Sequence, residues 1–237
     1  MEERGRGFPV GVGVVPIVPA AVVFDLTPCG SPTARPTATM AYEACDLAAP
    51  NGIGEGSVGA GTGTTVGKAA GPERAMKGGV GLAAESVGPL HVAAIAVVNA
   101  LGDVRDGQGR IIAGARGESG FIDLARSLRQ GALPPESRFG AKAMQNTTLA
   151  VVMTNAALLR EELAQLASAA SVALGRRISP VGTSFDGDVV FSASPMRGVQ
   201  APALQIEALA VAVVESAIER AVRTAHGRDG ISGLADT

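Results

Sequence analysis

Between a polar, Pro-rich passage, 131 to 141, and a long amphipathic segment, 156 to 173, the chain reads Gln145-Asn-Thr-Thr-Leu-Ala-Val-Val-Met153. Leu149 to Met153 is a short apolar run of strand type. The apolar spacing then changes to every third or fourth residue. Leu158, Leu159, Leu163, Leu166 and Ala170 share one face, and Arg160, Glu161 and Glu162 share the other. A helix is therefore predicted, with Asn155 as its N-cap. Thr147 and Thr148 stand at the mouth of the strand, where a side chain is held rigidly and still meets solvent. An interior Thr hydroxyl is a poor nucleophile. It needs a base close by, or its own freed α-amine if the chain is cut before it. The purely structural alternative is a β-branched pair opening a strand.

The same signals recur along the chain. Gly79 to Ser86 and His91 to Val98 read as paired strands, and the second runs into Asn99. That amide can donate to a developing negative charge, or it can cap the turn that follows. Asp103 to Gly109 reads as a turn, Ile111 to Ala113 as a short strand, and Phe121 to Leu128 as a helical turn or two. Phe8 to Phe24 is apolar, but Pro16 and Pro19 break it into strand pieces joined by bends. Thr37 to Ala49 is weakly helical, with Met40, Ala41, Ala44, Cys45 and Leu47 available for packing. Phe185-Asp-Gly-Asp-Val-Val-Phe191 is a turn entering a strand, with carboxylates at Asp186 and Asp188. Leu204 to Ala225 is a second strong helix, and the Gly-rich tail from Gly227 reads as frayed. Two long helices with several short apolar strands make a layered α/β fold.

Glycine is dense, 32 of 237 residues, in a chain that is 46% hydrophobic. That combination implies closely packed backbone and tight turns. The densest tract, 51 to 69, is no phosphate loop. The position five before Gly67 is Thr62, and Ala69 stands where a magnesium-binding hydroxyl is required. Lys68 is the only cation in the tract. It is either a solvated turn lysine or part of a site whose backbone N–H groups face an oxyanion.

Composition excludes several classes. Net charge is −2, aromatic residues are 3%, and there is no Trp, so no nucleic-acid partner is expected. His91 and His226 lie far apart, so neither a metal site nor another cofactor is expected. The two cysteines, Cys29 and Cys45, cannot build a disulfide scaffold and suit a reducing, cytoplasmic compartment. Apolar runs are interrupted before 18 residues, so no membrane span is expected.

Six blocks then carry a resemblance. They are GFPVGVGVVPIVPAAVVFDL, GSVGAGTGTTVGKA, GPERAMKGGVG, VVNALGDV, QNTTLAVVMTNAAL and FDGDVVFS, in that order. Together they resemble the DmpA/ArgJ-like P1 aminopeptidases, peptidase family S58. That family includes the L-aminopeptidase/D-esterases and the endo-type 6-aminohexanoate (nylon) oligomer hydrolases. The resemblance implies a four-layer αββα sandwich that cuts itself between Asn146 and Thr147 into 1–146 and 147–237, which stay together. Thr147 becomes the N-terminal nucleophile. Lys68 and Asn99 match the assisting positions of the nylon-oligomer hydrolases, and Asp186 and Asp188 match their paired acidic positions. The implied substrates are small peptides, amino-acid amides or ω-amino-acid oligomers, with a homo-oligomer expected for the full-length protein.

Members of the family carry early strands and a GGSAFG-type helix start before the block that opens this chain. The 237 residues are therefore read as one N-terminally truncated domain. For the 237-residue chain alone, an exposed apolar edge, poor solubility and slow or absent cleavage are expected. Two rival readings follow: an inactive or structural remnant of the family, and acyl transfer like that of the ornithine acetyltransferases.

Overall fold

The computed structural model describes residues 1–49, 53–132 and 146–237. Most of the Pro-rich passage and Gln145 fall outside the described residues. The N-terminal third is sparse: β1 (Phe8–Pro9) pairs with β2 (Val14–Val15), and α1 (Ala38–Asp46) follows. Next come β3 (Thr65–Val66), β4 (Met76–Lys77), β5 (Gly79–Val87), β6 (Leu90–Asn99), β7 (Asp103–Arg105) and β8 (Ile111–Ala113). After them lie β9 (Arg116–Gly117), β10 (Gly120–Phe121) and α2 (Leu124–Arg129). The last part holds β11 (Thr147–Thr154), α3 (Arg160–Arg177), β12 (Ile178–Ser179), β13 (Val189–Ala193) and α4 (Ala203–Arg223).

The centre is a mixed sheet in the order β13-β11-β6-β5, antiparallel except for the β11–β13 pair. Alternation decides its two faces. Val92, Ala94, Ala96 and Val98 of β6, with Thr148, Ala150 and Val152 of β11, are buried on the helical side. The other side carries Leu82, Ile95, Val97, Leu149, Val151, Met153 and Phe191, which are half-buried. Both faces are thus apolar, the pattern of a sheet enclosed between layers. The fold is an α/β sandwich.

Helix α4 covers the first face with a stripe of Ile206, Ala210, Val213, Val214, Ala217, Ile218, Ala221 and Val222. Small residues on both sides bring the backbones together. A Cβ built on Gly81 would overlap the carbonyl of Ala217. This contact accounts for part of the glycine content.

The structure corrects several expectations. Helix α3 begins at Arg160 with Leu159 as N-cap, whose N–H donates to Glu162 Oε2 at 2.7 Å. Asn155 is not the cap. Its Oδ1 accepts from His91 N at 2.8 Å and its Nδ2 donates to Pro89 O at 2.9 Å, tying the end of β11 to the turn of the β5–β6 hairpin. Leu159 is 69% exposed, and the buried face of α3 is Leu166, Ala170, Ala173 and Leu174. Asp103–Arg105 is a strand, held between β12 and β8. The apolar residues offered by α1 are exposed. The tail is tied down: Ser232 O accepts from Lys77 N, Ala235 N donates to Ala225 O, and Ile231 is buried. In the front segment only the β1–β2 pieces form, with Phe8 63% and Ile17 73% exposed.

Two glycines test the packing account in opposite directions. Gly81→Ala should lose about 1–3 kcal/mol, because α4 must move off β5. Gly175 lies within α3 with nothing near its missing Cβ. Gly175→Ala should gain about 0.5–1 kcal/mol. Urea denaturation checks both, and equal effects would contradict the close-approach argument.

Candidate functional site

Strand register gathers the site at one end of the sheet. Thr147 lies opposite Asn99 in the β11–β6 pairing, and Asn146 bridges in parallel with Asp186 just before β13. Asn99, Asn146, Thr147, Asp186, Gly187 and Asp188 therefore converge. Lys68 enters from the Gly-rich tract, just after Gly67, whose φ of 75° requires glycine. Its Nζ donates to Asn99 Oδ1 at 2.8 Å and to Asn99 O at 3.0 Å.

The peptide before Thr147 is held by two donors. Thr147, 4% exposed, donates its Oγ1 proton to Asn146 O at 2.7 Å. Gly187 N–H donates to the same oxygen at 2.8 Å. Both donors draw electron density from the carbonyl carbon. Gly187 was not singled out in the sequence. A Cβ there would sit 2.9 Å from Thr147 Oγ1, so any side chain crowds the hydroxyl. Its sequence signal was a glycine between two aspartates.

The acidic pair is split in role. Asp188 is half-buried, and its Oδ1 accepts from Thr148 N at 2.6 Å. Burial pushes its pKa up to about 6, aided by the Asp186 charge and opposed by the Thr148 and Gly182 N–H groups. Asp186 Oδ2 accepts from Thr183 N at 2.9 Å and from Thr183 Oγ1 at 2.8 Å, which fixes the turn. Thr183 is a second residue that sequence reasoning missed.

Lys68 lies in the field of Asp186 and Asp25, yet burial wins and pulls its pKa down to about 7. Asn99 is fully engaged. Its Oδ1 also accepts from Thr65 N at 3.1 Å, and its Nδ2 donates to Phe24 O at 3.0 Å. Among the described residues, no group of three His, Cys, Asp or Glu could hold a metal ion.

Thr147, Lys68, Asn99, Asp186 and Asp188 thus lie together at one end of the central sheet of an α/β sandwich. Residues 7–235 match peptidase family S58, and the chain belongs to that family. It is 39% identical over 207 residues to an uncharacterized aminopeptidase of Mycobacterium leprae, covering 81% of this chain and 53% of that protein. It is 28% identical over 188 residues to a 6-aminohexanoate-oligomer endohydrolase of a Kocuria species, covering 77% of this chain and 51% of that protein. The chain thus spans about half the length of these relatives. The structure of a Burkholderia β-aminopeptidase superimposes with a TM-score of 0.57 at 23% identity, over 84% of this chain and 56% of that one. An Ochrobactrum anthropi L-aminopeptidase D-Ala-esterase/amidase, described as a variant of the Ntn hydrolase fold, gives 0.52 at 23%, over 79% and 50%. Among the described residues, no helix is long and apolar enough to cross a membrane.

The Asp188 environment has a consequence for stability. Its folded pKa of about 6 lies above the ordinary carboxylate value. The stabilisation from its bound proton is complete at pH below about 4 and is lost as pH rises through about 6. Asp188→Asn carries no such charge. The stability of the natural protein relative to this variant should fall between pH 4 and pH 6 and then level off. Parallel urea midpoints across that range would show that Asp188 is not desolvated.

Proposed function

We propose that the protein is a self-processing N-terminal-threonine amidohydrolase of the aminopeptidase type. Its substrates are small peptides, amino-acid amides or ω-amino-acid oligomers. The observation that carries this reading is the double hold on the Asn146 carbonyl, by the hydroxyl of the next residue and by Gly187 N–H. The endohydrolase relative supports the oligomer class of substrate.

In the processing step, a base removes the Thr147 hydroxyl proton, directly or through water. Lys68, near pH 7 in its titration, has the matched strength. The desolvated Asp188 carboxylate is the alternative. Oγ1 attacks the Asn146 carbonyl carbon, and Gly187 N–H holds the oxyanion. The C–N bond breaks, its nitrogen takes a proton, and the resulting ester is hydrolysed by water. The pieces stay joined, because β11 of the second remains hydrogen-bonded to β6 of the first.

In the mature reaction the freed α-amine of Thr147 takes the proton as Oγ1 attacks a substrate amide. Asp186 and Asp188 orient that amine. Asn99 donates to the oxyanion, its amide exchanging the Phe24 carbonyl for the substrate oxygen. An acyl-threonine forms, and water releases it. The unpaired thiols of Cys29 and Cys45 suit a cytoplasmic setting, and the apolar second face of the sheet suits burial against further chain or another subunit.

Trapping tests this directly. The protein at its natural full length, quenched during turnover of short amides and 6-aminohexanoate oligomers, should show an acyl adduct on the piece that begins at Thr147. An adduct elsewhere, or none under turnover, would reject the nucleophile. Asn99→Ala should lower kcat by ~100-fold or more. With Lys68 as base, the self-cleavage rate should rise with pH through about 7, and Lys68→Met should remove that limb. A limb near pH 6 removed by Asp188→Asn would transfer the role to Asp188.

A further inference from the structure

The mechanism above uses Lys68 and leaves Lys77 unassigned. Lys77 is 0% exposed and lies opposite Thr65 in the β3–β4 pairing. Its Nζ donates to Thr64 O at 2.8 Å, Thr62 O at 2.9 Å and Gly61 O at 3.5 Å. Burial lowers its pKa, with Cys29, Asp25, Asp229 and Arg228 as the charged or titratable groups around it. Three peptide carbonyls thus replace the water ligands of a buried ammonium. Core volume alone would be met by Met or Leu, without the cost of burying a charge.

The three carbonyls lie in the tract that leads into the site. Its next residue, Thr65, gives its N–H to Asn99 Oδ1, and Lys68 Nζ donates to the same oxygen. The β3–β4 ladder is only two residues on each strand, too short to fix the tract by itself. Further support comes from Gly78 N–H to Thr64 O, Thr64 Oγ1 to Gly61 O and Gly67 N–H to Gly102 O, each at 2.9 Å. The Lys77 ammonium is the group that draws the Gly61, Thr62 and Thr64 carbonyls to one point. We propose that Lys77 is a positioning residue: its ammonium gathers the Gly61, Thr62 and Thr64 carbonyls and thereby holds Asn99 and Lys68 in place beside the Asn146–Thr147 bond. Its catalytic consequence rests on the self-processing reading above.

The test is Lys77→Met in the protein at its natural full length, with two readouts. Hydrogen exchange follows the Thr65 amide against the core amides of β6. Intact mass follows cleavage per folded molecule. The expected result is Thr65 exchange and a cleavage rate each changed by about tenfold or more, with β6 protection retained and Lys77→Arg restoring part of both. If Lys77→Met does not fold, Lys77→Arg and Lys77→Gln carry the comparison, with Arg closer to the natural protein in Thr65 exchange. Unchanged Thr65 exchange, or acceleration equal to that of β6, would overturn the proposal and leave Lys77 a stability residue only. If the natural protein itself is never cut, the self-processing reading falls, and Thr65 exchange alone decides the role of Lys77.

Discussion

The pairing of β11 between β6 and β13 is the constraint on which the rest depends. One register sets Thr147 opposite Asn99 and draws Asn146 alongside Asp186. A slip of one residue would turn Thr148, Ala150 and Val152 away from α3 and α4 and separate the hydroxyl from the acidic turn. The packing that fixes the register is therefore the same packing that assembles the site. Helix α4 lies against β5 and β6 through glycine and alanine contacts, and it leaves little freedom for the sheet to shift.

Burial then sets the electrostatics. Lys68 and Asp188 are each pushed toward neutrality by desolvation, in opposite directions on the pH scale, and meet near pH 6 to 7. A similar burial shift has a structural use elsewhere. Asp103 is buried, accepts from Leu124 N at 2.7 Å and Ala115 N at 2.9 Å, and has its pKa raised to about 6. Asp103 is saturated by backbone donors and ties loops together. Asp188 accepts from Thr148 N at 2.6 Å and lies beside Asp186, at the start of β11. The neighbouring carboxylate of Asp186 adds to the shift of Asp188, while Asp103 has Arg105 beside it to oppose the shift.

Much of this was legible in the residues. The apolar runs located β5, β6, β11 and α4, since their periodicity follows directly from burial. The motif blocks pointed to Lys68, Asn99, Thr147, Asp186 and Asp188; register brings Asn99, Thr147 and the acidic turn to one end of the sheet, and Lys68 reaches Asn99 with its side chain. What escaped were groups whose role is carried by the backbone or by distant contacts. Gly187 acts through an N–H that no side-chain reading reveals. Lys77 was not singled out, because nothing local shows that three carbonyls of another segment surround it. Asn155 has the chemistry of a helix cap, but the hairpin end one strand away competes for its amide. The tail from Gly227 looked free because its partners, Lys77 and Ala225, are set by the tertiary fold.

The central claim is that the Asn146–Thr147 peptide is poised for attack by its own threonine. Intact mass under denaturing conditions, for the protein at its natural full length and for Thr147→Ala, tests it most directly. The account predicts that the natural protein separates into two pieces, the second beginning at Thr147, and that Thr147→Ala stays a single chain. A natural protein that remains uncut, or a Thr147→Ala variant cut at the same bond, would contradict it.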